Sequence, residues 1–138
     1  MKNFVNIEFA SLSENEAFSR IAVAAFAAQL DPTLEELSDI KTAVSEAVTN
    51  SVVHGYGENG GTVWLKMQRQ GRLLTFEIED RGKGIEDIER ARQPLYTSVP
   101  GDERSGMGFT VMESFMDSLH IKSTPGEGTT VIMTKEIL

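Results

Sequence analysis

Cysteine is absent from the 138 residues, so neither a disulfide framework nor a thiolate metal site is available. Basic side chains are scarce: 13 lysines and arginines face 21 aspartates and glutamates, a formal charge of -8. That sign repels phosphate backbones and no basic cluster offsets it, which argues against direct nucleic-acid binding. Long apolar runs are missing too; none approaches the roughly 20 residues that span a bilayer. The opening MKNFVNIEFA lacks the apolar centre of a signal peptide. No repeat, low-complexity tract or linker interrupts the chain. The expectation is one domain over residues 1–138, in the cytoplasm and away from membranes.

What is present is alternation of two periods. In NFVNIEFA (3–10), Val5, Ile7 and Phe9 share one face, as in a strand. Ser13 followed by Glu16 predicts a capping box for a helix reaching about Leu30. Asp31-Pro32-Thr33 breaks it, and Thr33 with Glu36 predicts a second capped helix that continues to about His54. TVWLKMQRQ and RLLTFEIED predict a hairpin turning at Gln70-Gly71, followed by a short helix, IEDIERARQ. Residues 94–108, PLYTSVPGDERSGMG, have the composition of a mobile loop. GFTVMESFMDSLH predicts a third main helix, and a hairpin turning at Gly126-Glu127-Gly128 closes the chain. Together these predict an α+β two-layer sandwich, a mixed and mostly antiparallel sheet with helices on one face.

Four groups of residues carry possible chemistry. Glu46, Asn50 and His54 form a column of i, i+4 steps along the flank of the second helix. Alone, that column reads as a solvated polar edge, and a decision needs its context. Asp80 falls on the same strand face as Leu74, Phe76 and Ile78. A carboxylate there needs donors, and the exocyclic amine of a purine is one; Gly82 and Gly84 would let a flat ligand approach the backbone. A plain strand end with a glycine-rich turn has the same pattern. Arg104-Ser105-Gly106-Met107-Gly108 precedes a helix, where N–H groups and a cation suit phosphate, although an exposed loop arginine needs no ligand. Thr130, opening the last strand, offers a hydroxyl to a base pocket or serves simply as a strand residue. Neither a P-loop nor a Rossmann fingerprint occurs.

The ordered set is far more specific than its parts. ExxxN on a helix, DxGxG after a strand, a loop, GxG opening a helix and GTT in a final hairpin resemble the ATPase/kinase superfamily of gyrase, Hsp90, histidine kinases and MutL. EAVTNSVVHGY, ARQPLYTSVPGDERSGMGF and GTTVIMTKEI are similar to the anti-sigma-factor serine kinases, and among them to the sporulation members. The resemblance implies a Bergerat-type ATP-binding fold with residues 94–108 as ATP lid, using ATP/ADP and Mg²⁺. It implies Glu46 as general base, Asn50 as magnesium ligand, Asp80 as adenine acceptor and Gly82 and Gly84 as shapers of its pocket. Arg104 would act on the terminal phosphate, Ser105, Gly106, Met107 and Gly108 would hold the phosphates, and His54 and Thr130 would adjoin the nucleotide.

The implied partners are a sporulation sigma factor, kept from RNA polymerase, and an anti-anti-sigma factor phosphorylated on serine. A homodimer is also implied. The first helix carries one charge, Arg20, between Ser19 and Leu30, so it is either a core helix or a contact surface for such a partner. Two other readings stay open: an ATP-gated sigma-binding module without phosphotransfer, and a fragment of an ATP-driven motor.

Overall fold

A computed structural model describes residues 2–93 and 108–138. Five strands form one sheet: β1 (Lys2–Ala10), β2 (Thr62–Gln70), β3 (Leu73–Asp80), β4 (Ser118–Thr124) and β5 (Gly128–Glu136), in the order β1-β2-β3-β5-β4. All four pairings are antiparallel. Helices α1 (Ser13–Ala27), α2 (Leu34–Thr49) and α4 (Gly108–Phe115) share one face of this sheet, and α3 (Ile88–Ala91) is a single turn.

Alternation in the strands selects that face. Val63, Leu65 and Met67 of β2, Leu74, Phe76 and Ile78 of β3, and Val131 and Met133 of β5 are buried. They meet Val23 and Phe26 of α1, Ile40, Val44 and Val48 of α2, and Met112 of α4 in one core cluster. Each such side chain contributes about 1.5–3 kcal/mol by leaving water. On the opposite face, Lys66 pairs with Glu77 at 3.2 Å and Arg81 stacks 4.6 Å above the Trp64 ring. Charge and amphipathic rings keep that face compatible with solvent.

The short helix covers only Ile88–Ala91 of the expected 85–93, and three ends of the main helices also differ from the sequence expectation. Ser13 lies inside α1 rather than capping it; the N-cap is Leu12, without a side-chain bond. Glu16 is instead drawn to the Ser45 hydroxyl of α2 and to Arg20 at 3.3 Å. The third main helix stops at Phe115, because the residues beyond it are claimed by the sheet: Asp117 N–H donates to the Thr134 carbonyl at 2.8 Å and Ser118 pairs with Thr134. The second helix leaves α geometry after Thr49 and winds through a π-helical segment, Asn50–Tyr56.

At its other end α2 begins as expected. Thr33 Oγ1 accepts from Glu36 N–H at 3.0 Å, and Thr33 N–H donates back to Glu36 Oε1 at 2.9 Å. Replacing Thr33 by Ala should therefore cost about 1 kcal/mol and lower the melting temperature by about 3 °C in calorimetry. Nucleotide affinity should be unchanged, since the cap lies at the far end of α2 from Asn50.

Candidate functional site

The site grows out of the last residue of β3. Period two places Asp80 on the core face with Leu74, Phe76 and Ile78, and it is only 4% exposed. Its Oδ1 accepts from Gly82 N–H at 2.9 Å, folding the DRG turn back on the carboxylate. The Ser51 hydroxyl and the Thr129 backbone supply further donors. Burial nonetheless raises the Asp80 carboxyl above the usual range, with these hydrogen bonds pulling the other way.

A cavity of about 440 Å³ opens above this group, within the size range of small-ligand pockets. The α2–π junction contributes Ala47, Asn50, Ser51, His54 and Gly55; the turn after β3 contributes Lys83, Gly84 and Ile85; β5 contributes Thr129 and Val131. Phe109 of α4 and Ala91 of α3 complete the apolar walls. Greasy walls around a few convergent polar groups suit a flat heteroaromatic ring with a polar edge.

Tight backbone contacts explain the glycines. A Cβ on Gly82 would lie 2.2 Å from the Gly55 carbonyl oxygen, and one on Gly84 would lie 2.3 Å from that of Thr124. No side chain fits either place. Gly55 belongs to the same cluster, for a Cβ there would meet the Asp80 carboxylate at 2.9 Å. In the sequence Gly55 simply follows the expected end of the second helix near His54.

The second half of the site lies toward α4. A Cβ on Gly108 would stand 3.5 Å from both amide atoms of Asn50 and 3.5 Å from Glu46 Oε2. Glu46, Asn50 and the first residue of α4 are therefore neighbours, although Glu46 itself does not line the cavity. Carboxylate and carboxamide oxygens beside a helix N-terminus suit a hard cation shared with phosphates. Arg104, Ser105, Gly106 and Met107, with the rest of residues 94–107 of the expected lid, lie outside the described residues.

One expected residue is displaced. Thr130 sits on the sheet face away from the helices and borders a shallower groove with Glu79, Arg81 and Lys122. Thr129 takes its expected place, directly across from Asp80 in register and lining the cavity. Counting back in twos from the buried Met133 and Val131 reaches Thr129, so parity in the sequence held the signal. Ser51 and Tyr56 were missed because each has an ordinary helical role available.

The model of the histidine kinase-like ATPase domain matches residues 9–135. The anti-sigma F factor of Thermoanaerobacter sp. (strain X514) is 58% identical over 98% of this chain and 94% of that protein. The chain belongs to the anti-sigma F factor family. Its counterpart from Pasteuria penetrans is 59% identical, covering 99% of this chain and 92% of that one. The Bacillus licheniformis protein is 54% identical over 99% and 94%. Among solved structures, the RsbU and RsbW domains of Rv1364c from Mycobacterium tuberculosis share the fold, with a TM-score of 0.72 at 20% identity. That alignment covers 98% of this chain and 32% of that chain. The blue-light activated histidine kinase of Erythrobacter litoralis aligns over 78% of this chain and 32% of that one, with a TM-score of 0.55 at 22% identity. Membership carries with it a kinase-type ATPase architecture, ATP/ADP binding and an anti-sigma role.

Asp80 gives this site a pH signature. Its folded pKa is raised above the unfolded value, so its stabilising contribution is complete below the ordinary carboxylate range near about 4 and is lost as pH rises through the raised pKa. Urea unfolding of the nucleotide-free protein should show Asp80→Asn gaining stability relative to the parent across that window. A difference that stayed flat or ran the other way would contradict the burial account.

Proposed function

We propose that this protein transfers the γ-phosphoryl group of ATP to a serine of an anti-anti-sigma factor, and that it also sequesters a sporulation sigma factor from RNA polymerase. The observation that carries the reading is the convergence of Asp80, Asn50 and Glu46 along one path, from the base end of the cavity to the N-terminus of α4. Asp80, with Ser51 and Thr129, holds the adenine amine, and the Asp80 carboxylate accepts its N–H. Gly82 and Gly84 keep the wall thin enough for the ring, and His54 borders it. Asn50 would hold Mg²⁺ through its amide oxygen, and the metal would neutralise charge on the transferring group.

Glu46 sits one helical turn before Asn50 and next to the same α4 terminus. In the proposed step it accepts the proton of the serine hydroxyl as the oxygen bonds to the γ-phosphorus. The bond from that phosphorus to the β–γ bridging oxygen breaks, and ADP leaves with the electron pair. Gly108, with Ser105, Gly106 and Met107, would hold the phosphates, and Arg104 would stabilise charge on the γ-phosphate. The competing module without phosphotransfer would have no use for a carboxylate at this position. The cytoplasm is the compartment such partners require.

Helix α1 supports the partner surface. Phe18 and Ile21 are 59% and 72% exposed, and Arg20 beside them is held by Glu16. Solvent-facing apolar side chains of this size on one helix suit a second subunit or the sigma factor. We place the homodimer contact on this face.

Two experiments test these assignments. With labelled ATP and an anti-anti-sigma factor, Glu46→Gln should slow phosphorylation by about 100-fold or more while still binding nucleotide. Undiminished turnover would remove Glu46 from the reaction, and phosphate released without transfer would favour the motor reading. For the surface, Phe18→Glu with Ile21→Glu should shift the sedimentation coefficient to that of a monomer or abolish sigma binding. If neither changes, α1 is not the contact.

A further inference from the structure

The phenol of Tyr56 holds the peptide plane between Asp80 and Arg81, immediately before the Gly82 N–H that binds the Asp80 carboxylate. Tyr56 closes the π-helical segment, and its hydroxyl donates to the Thr62 carbonyl at 2.6 Å. The same oxygen accepts from Arg81 N–H at 2.7 Å. That N–H belongs to the rigid Asp80–Arg81 peptide unit, whose other polar atom, the Asp80 carbonyl oxygen, would be 2.2 Å from a Cβ on Gly128. The plane is thus gripped at its N–H and confined at its C=O. The Arg81–Gly82 peptide follows directly from this anchored plane, and its N–H, that of Gly82, is the donor that fixes Asp80 Oδ1.

The ring itself is seated firmly. A Cβ on Gly61 would fall 2.3 Å from Tyr56 Cε1, so the ring packs directly against bare backbone. Gly61 is in turn tied to the buried Ser11 by two hydrogen bonds of 2.9 Å, one through the Ser11 hydroxyl and one through its N–H. A fixed ring with a doubly bonded hydroxyl is a rigid strut from the start of β2 to the turn after β3.

We propose that the Tyr56 hydroxyl is a positioning group for base recognition, locking the Asp80–Arg81 peptide so that the Asp80 carboxylate is presented to the purine amine. The proposal rests on the nucleotide reading above and assigns Tyr56 no contact with the substrate. Tyr56→Phe keeps the ring and removes only the hydroxyl. It should weaken ATP binding by about three- to tenfold, the worth of one or two hydrogen bonds. It should weaken ITP, which carries a carbonyl in place of the amine, much less, so the ATP-to-ITP preference falls. Phosphorylation at saturating ATP should keep its kcat while KM rises.

Isothermal titration of both nucleotides reads this directly. Unchanged affinity and preference, or equal losses for ATP and ITP, would overturn the positioning role. Should the variant not fold, amide exchange on the parent decides: the Arg81 N–H should be protected, and exchange there at the rate of an open loop would overturn the strut. Asp80→Asn separates the two levels of inference. If it binds ATP like the parent, the nucleotide pocket itself is misassigned; if it loses ATP while Tyr56→Phe does not, only the role of Tyr56 falls.

Discussion

A carboxylate on the core face of a strand is the constraint around which the rest of this molecule is arranged. Asp80 takes the position that an aliphatic residue would fill, one step past Ile78 and almost closed to water. An unpaired ionised group there would cost several kcal/mol, and three kinds of donor limit the cost: a backbone N–H two residues on, a serine hydroxyl and the facing strand. They do not remove it, because burial still outweighs them and the carboxyl remains reluctant to ionise. A ligand bringing one more N–H would add a donor to the set. A buried carboxyl kept at a binding site is the ordinary trade of stability for function.

The two ends of α2 divide these demands between them. Its start carries a complete capping box, and its middle supplies Ile40, Ala43, Val44 and Val48 to the core. Its end gives up α geometry at the residue proposed to hold metal. Stability is concentrated where nothing binds, and irregular backbone is confined to the segment facing the cavity. The glycines of the DRGKG turn follow the same division, since each marks a point where two backbones touch and leave room for nothing else.

Strand alternation, the Thr33–Glu36 cap and the core face of Asp80 were legible in the sequence because each depends on residues a few positions apart. The early end of α4 was not, since Phe115, Met116 and Leu119 keep a helical period while Leu119 in fact packs as a strand residue opposite Met133. Pairing with β5 prevails there over local pattern. The nearest miss in the site was a single step, Thr130 for Thr129, and a single step in a strand reverses the face. Ser51, Gly55 and Tyr56 could not have been read as site residues at all. Their importance comes from a widened helical turn that no propensity announces and from contacts with a loop some 25 residues later.

That widened turn also bears on how such a site can change over generations. A π turn packs more residues into one revolution than an α turn does, so the two differ in length as well as in side chains. Rewinding Asn50–Tyr56 as a regular helix would turn every later residue around the axis. Base exchanges can adjust what lines the cavity, while the shape of its roof rests on how the backbone winds from Asn50 to Tyr56.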